Sequence, residues 1–244
     1  MKLDNLKFEA LGQQAILISW PEEISKNTLA EILSVKNLIY KNQPKVKVEV
    51  INTFNSLLVN YLYSIENIYG ELKVLKNLLS ETKIENKINS KKFIIPVCYD
   101  KKFALDLEEI NRQKNIATDK IIELHTAPIY TLYFIGFLPG FLYLGGLDKS
   151  LEIPRKKTPR LEVEKGAVGI GGKQTGMYPQ KSAGGWQIIG NSPIRLFDAN
   201  KENPAPFSAG DEIKFKAISV EEHETIQQKI KENKFKLERV NQWA

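Results

Sequence analysis

The stretch from Tyr133 to Asp198 most restricts what this chain can become. It reads Y-F-I-G-F-L-P-G-F-L-Y-L-G-G-L from Tyr133, P-R-K-K-T-P-R from Pro154, G-A-V-G-I-G-G-K-Q-T-G-M-Y-P from Gly166 and S-A-G-G-W-Q-I-I-G-N-S-P-I-R-L-F-D from Ser182. Most of the chain's 15 glycines lie here, interleaved with aromatics and prolines. Glycine permits positive φ and close approach to the backbone, while proline fixes φ and removes a donor. The run therefore predicts short strands joined by tight, shaped loops, with little helix.

The rest of the chain reads as support for that stretch. Its 244 residues are enough for one large domain or two small ones, and 42% apolar with 26% charged residues is ordinary for a globular protein. No run approaches the roughly 18 apolar residues of a membrane span. The N-terminus, M-K-L-D-N-L-K-F-E-A, lacks an apolar signal core, so a cytoplasmic protein with no membrane partner is expected. One cysteine excludes an internal disulfide framework. The net charge of +6 comes largely from lysines scattered among Glu, Asn and Ile, as in K-I-E-N-K-I-N-S-K-K from Lys83. Without a clustered basic stripe, no nucleic-acid partner is expected.

Period and punctuation divide the chain. Residues 1–82 read as a small α/β domain: strands at 8–10 and 15–20, a helix over 24–40 ended by Pro44, strands at 46–50 and 56–63, and a helix over 65–79. Residues 83–92 are polar and form the predicted linker. Residues 93–244 begin with an apolar strand at 93–99, then a helix opened by an Asp106/Glu109 capping box, a second helix over 118–126 and a strand at 129–137. An alternating strand at 211–217 and a helix capped by Ser219 and Glu222 close this part, followed by a tail. Many short strands with Gly/Pro turns suggest a barrel.

Several motif look-alikes fail. Gly169-Ile170-Gly171-Gly172-Lys173-Gln174 lacks the third glycine of a dinucleotide site and any following helix pattern. As a phosphate loop it has Ala167 and Gln174 in the wrong places. Cys98 sits in an apolar strand and reads as inert core. Two histidines and one cysteine build no typical zinc site, so no metal is expected, and His223 in an acid-rich helix reads as surface. What remains is His125, equally a helix-terminal residue or a proton-transfer residue. Arg155 and Arg160 follow prolines and suit a carboxylate or phosphate, whereas Lys156 and Lys157 read as exposed. Gln174, Thr175 and Tyr178 could recognise a small polar molecule, and Gly184-Gly185 could offer backbone N–H groups to an oxyanion or merely turn a strand. Phe137, Phe141 and Tyr143 read as core, interface or ligand contacts.

The motifs G-F-x-P-G-F-x-Y-L-G-G-L, P-R-x-x-x-P-R, G-x-V-G-I-x-G-x-Q-T-G-x-Y-P and S-x-G-G-W-x-I-I-G resemble the family of bacterial 5-oxoprolinase B subunits. That family includes the sporulation-kinase inhibitor KipI and is also called allophanate hydrolase subunit 1-like. Leu138, Leu142 and Ala183 depart from the pattern, which has a small residue and two prolines there. The resemblance implies an α+β chain in which the N-terminal α/β domain precedes a cyclophilin-like β-barrel. It also implies a part in ATP-dependent opening of 5-oxoproline to glutamate, together with subunits A and C. ATP serves that complex and need not contact this chain, and the isolated chain is expected to be inactive. The resemblance tips His125 toward a catalytic role. Arg155 or Arg160 would hold the substrate carboxylate, with Gln174, Thr175, Tyr178, Gly184 and Gly185 lining the lactam site. The same family leaves two other readings: an inhibitor that docks on a histidine kinase, or a component related to urea carboxylase and allophanate hydrolase.

Overall fold

The computed structural model describes residues 5–21, 24–42, 47–81 and 88–243. The chain divides into two compact units, Met1–Asn89 and Ser90–Ala244. Pro44, Val46 and residues 83–87 of the predicted linker lie outside the described residues.

In the first unit, strands β1 (Lys7–Leu11), β2 (Ala15–Ser19), β3 (Val48–Asn52) and β4 (Ser56–Tyr61) form an antiparallel sheet in the order β1-β2-β4-β3. Gly12 takes a positive φ of 61° in the β1–β2 turn, where a side chain would be strained. β3 alternates buried and exposed residues along its length, as a strand with one wet face should. Helices α1 (Lys26–Asn42) and α2 (Ile68–Glu81) bring Ile32, Val35, Ile39 and Leu75 into one core with Ile16, Ile18 and Val59 from the sheet.

The second unit is built around a closed sheet. Its strands are β5 (Lys92–Cys98), β6 (Tyr130–Ile135), β7 (Leu142–Gly145), β8 (Arg160–Val163), β9 (Ala167–Gly171), β10 (Gln174–Met177), β11 (Ser182–Gly184), β12 (Gln187–Asn191), β13 (Glu212–Ile218) and β14 (Glu238–Val240). Pairing runs β12-β9-β10-β7-β6-β13-β5, and β12 meets β5 again at Asn191 and Cys98, closing a seven-stranded barrel. This is the α+β architecture, with a cyclophilin-like barrel, that the resemblance implied. β13 lies parallel to β5 along its whole length, from Glu212 opposite Lys92 to Ile218 opposite Cys98. β14 covers the other edge of β5 at Lys92–Ile94, in the segment expected to be a tail. Phe93, Ile95, Leu132, Leu144, Ile170 and Phe215 fill the barrel.

Three helices accompany the barrel: α3 (Leu107–Lys114), α4 (Thr118–Thr126) and α5 (Val220–Lys231). The capping box expected at α5 forms in full between Ser219 and Glu222. The one expected at α3 does not: Asp106 sits at the cap position but makes no side-chain cap bond. His223 is also not a surface residue. It is 1% exposed, packs tilted against the Phe103 ring with centroids 4.5 Å apart and donates from Nε2 to Asn191 Oδ1 at 2.9 Å. Cys98 is buried, and burial pushes its thiol pKa up. No helix of the described residues is long and apolar enough to cross a membrane.

Candidate functional site

Outside the barrel ring, β8 and β11 form a separate two-stranded ribbon, with Gly184 opposite Arg160. Between this ribbon and β7 lies a cavity of about 290 Å³ lined by Phe137, Phe141, Tyr143, Tyr178, Trp186 and Arg155, with Pro159 and Ala183–Gly185 at its side. The aromatic wall interlocks by edges and faces. Tyr178 and Trp186 meet Phe141 nearly perpendicular, at ring-centroid distances of 4.9 and 5.5 Å. Such edge-to-face packing adds to the burial energy of each ring. The Arg155 guanidinium lies 5.2 Å from the Trp186 ring, a cation–π contact that leaves its N–H edge available.

Glycine makes this wall possible at two points. A Cβ on Gly184 would stand 2.3 Å from the Tyr178 hydroxyl, and one on Gly171 would stand 2.8 Å from the Trp186 ring. At the lip, Phe137 is 61% exposed and takes φ +61°, a conformation rare for a bulky side chain. Leu161, on β8, is 90% exposed.

The structure thus brings Arg155, Tyr178, Gly184 and Gly185 together. It places the other four predicted residues elsewhere. Arg160 does not line the cavity: its Nη2 donates to Asp106 Oδ1 at 2.6 Å, so this guanidinium is already committed to a carboxylate. Lys156, expected to be exposed, donates from Nζ to the same oxygen at 2.8 Å. Gln174 begins β10 opposite Gly171, half-buried and apart from the cavity lining.

Thr175 and His125 are both fully buried within the barrel unit. The Thr175 hydroxyl donates its one proton to the Gly169 carbonyl at 3.0 Å, so it must accept from His125 Nε2, 2.9 Å away. His125 Nδ1 is then the acceptor for the Tyr99 hydroxyl at 2.7 Å. The imidazole also stacks on Phe215 at 4.8 Å. Burial lowers its pKa to about 3, so the ring is neutral and enclosed, without the access a proton-transfer residue of the cleft needs. The G-I-G-G-K run forms the end of β9 and the turn into β10, with no helix behind it.

Sequence reasoning missed Asp106. It is 2% exposed and receives Lys156, Arg160 and the Ile188 N–H, the last at 2.6 Å. Burial pushes its carboxyl pKa up, but the bonds from Arg160, Lys156 and Ile188 outweigh this and hold it below the ordinary carboxylate value. The available signal was the excess of four cations within six residues, which calls for a counter-charge somewhere in the chain. Nothing in the one-letter string says where.

Fold and cleft define a class: a two-unit protein whose closed barrel carries an aromatic cavity edged by one arginine. A family model, carboxyltransferase domain, subdomain C and D, matches residues 6–207, and the chain belongs to that family, in the group that holds the 5-oxoprolinase B subunits. It is 34% identical to the B subunit of 5-oxoprolinase from Bacillus subtilis over 229 residues, 89% of this chain and 95% of that one. The protein of the same name from Haemophilus influenzae is 34% identical over 218 residues, covering 86% and 97%. Among solved structures, a conserved uncharacterized protein of Pyrococcus horikoshii shares 38% identity with a TM-score of 0.54, over 89% of this chain and all of that one. The urea carboxylase of Kluyveromyces lactis, at 21% identity and a TM-score of 0.81, has the same fold over 96% of this chain and 24% of its own length.

Proposed function

We propose that this chain is the B subunit of an ATP-dependent 5-oxoprolinase, which opens the lactam of 5-oxoproline to glutamate in an assembly with subunits A and C. The observation that carries the reading is the aromatic cavity edged by Arg155. 5-Oxoproline is a flat five-membered ring bearing one carboxylate. Its ring suits the faces and edges of Tyr178, Phe141 and Trp186. Its carboxylate suits the planar fork of Arg155, which makes no ion pair among the described residues. The near full-length match to relatives named as the B subunit of 5-oxoprolinase supports the same substrate.

A lactam is a poor electrophile, so the reaction needs ATP to phosphorylate the carbonyl oxygen before water attacks. In this reading the chain contributes a binding wall. Arg155 fixes the carboxylate, the aromatic rings exclude water from one face, and Gly184 and Gly185 let the ligand approach the backbone closely. Phosphoryl transfer and water activation then fall to groups on the partner subunits. The exposed Phe137 at the cavity and Leu161 on β8 suit a face that a second polypeptide covers.

The test is to co-purify the chain with subunits A and C and measure ATP-dependent glutamate release from 5-oxoproline. Arg155→Ala is expected to raise KM by about tenfold or more, the loss of a charge-assisted pair. No glutamate from the intact assembly ends the proposal, and an unchanged KM in Arg155→Ala ends the site assignment.

A further inference from the structure

The loop that presents Arg155 has little to hold it by itself. Pro154–Pro159 belongs to no strand, and four of the seven residues from Pro154 to Arg160 are cationic and repel one another. On its far side lies a second cavity of about 640 Å³, bounded by α3 through Glu108, Glu109 and Arg112 and sharing Arg155 with the aromatic one. The loop therefore has room on that side, and beyond its backbone ties at Pro154 and Lys156 its position depends on what neutralises the cations.

Asp106 has the contacts for that task. Its Oδ1 accepts from Lys156 and Arg160, the cations on either side of the exposed Lys157-Thr158 tip. Its Oδ2 accepts from the Ile188 N–H and its own N–H donates to the Ile188 carbonyl at 2.8 Å, so the carboxylate is anchored to barrel strand β12. The loop backbone is tied to the same strand and the turn before it. Lys156 N–H donates to the Gly185 carbonyl at 2.7 Å, and Gln187 Nε2 donates to the Pro154 carbonyl at 3.1 Å. Asp106 stands at the N-cap of α3 and its carbonyl accepts from the Ile110 N–H at 2.9 Å, but its side chain makes no cap bond, so the carboxylate is given over to these partners.

We infer that Asp106 is the positioning residue of the cleft, fixing the Pro154–Arg160 loop to β12 so that Arg155 stays over Trp186 at the cavity wall. The ligand named for the cleft rests on the proposed function; the fixing of the loop does not. Asp106→Asn removes the charge that holds both cations and sets an amide NH2 where the Ile188 N–H needs an acceptor, so the loop is held less tightly.

Two readouts separate this from a general loss of stability. In the assembly with subunits A and C, Asp106→Asn should raise KM for 5-oxoproline about tenfold with kcat within about threefold, and Asp106→Glu should restore most of the loss. Adding Arg155→Ala to Asp106→Asn should change KM by less than about twofold, because the two act as one unit. On the isolated chain, trypsin cleavage after Arg155 and Lys157 should quicken about tenfold in Asp106→Asn, as local opening becomes easier. Cleavage at the wild-type rate overturns the inference, as do independent, multiplying effects of Asp106→Asn and Arg155→Ala. Should Asp106→Asn lose its cooperative thermal transition, Lys156→Met carries the proteolysis test, with faster cleavage expected and an unchanged rate overturning it. If the wild-type assembly releases no glutamate, the proposed function falls while proteolysis still decides the role of Asp106.

Discussion

His125 acts as a structural hydrogen-bond relay between Tyr99 and Thr175, and its enclosure has a measurable consequence. Its folded pKa of about 3 lies below the ordinary value of 6.5 expected when unfolded. Between those values the unfolded chain binds a proton that the native ring refuses, so stability falls as pH drops through that window. The slope reaches up to about 1.4 kcal/mol per pH unit. Buried His223, also shifted down by desolvation, adds a slope of the same sign. In urea unfolding between pH 7 and 5, His125→Gln should be less stable at pH 7 yet show a shallower pH dependence than wild type. At this scale the sequence was a partial guide. That Arg155, Tyr178, Gly184 and Gly185 lie around one cavity was legible because proline, glycine and aromatic residues announce shaped backbone. His125, Asp106 and Arg160 were not, because their character is set by partners that lie 26 to 82 residues away in the chain.

At the scale of elements, the same written pattern has two outcomes. Ser219-x-x-Glu222 and Asp106-x-x-Glu109 both look like capping boxes, but only the first caps, because the Asp106 oxygens already hold two cations and a β12 amide. Ser219→Ala should therefore cost about 1 kcal/mol of stability in chemical denaturation, with no effect on cleavage of the Pro154–Arg160 loop. Helices α4 and α5 and the first-unit strands were legible from period and caps. β14 was not: Glu238-Arg239-Val240 is short and mostly charged, and is a strand only because the free edge of β5 offers it hydrogen bonds. The closure of the barrel was equally hidden, since it rests on Asn191 meeting Cys98 across 93 positions.

For the molecule as a whole, each compact unit has its own buried core. A fragment of residues 90–244 should fold alone, with a cooperative thermal transition and dispersed amide resonances; a molten or aggregated product would show that the barrel depends on the first unit. The two-part organisation was suggested by the polar run near Lys83. The number of barrel strands was not, because glycine-rich strands of three to five residues carry no clear alternation.

The parallel pairing of β5 with β13 sets a timetable. The first unit needs only partners within about seventy residues, so it can assemble while the barrel is still being synthesised. The barrel cannot: its opening strand waits for one 120 positions downstream, and until that arrives an apolar edge stays bare. Closure of the barrel therefore waits until residues 212–218 have been made, and that interval is when a chaperone has most to protect.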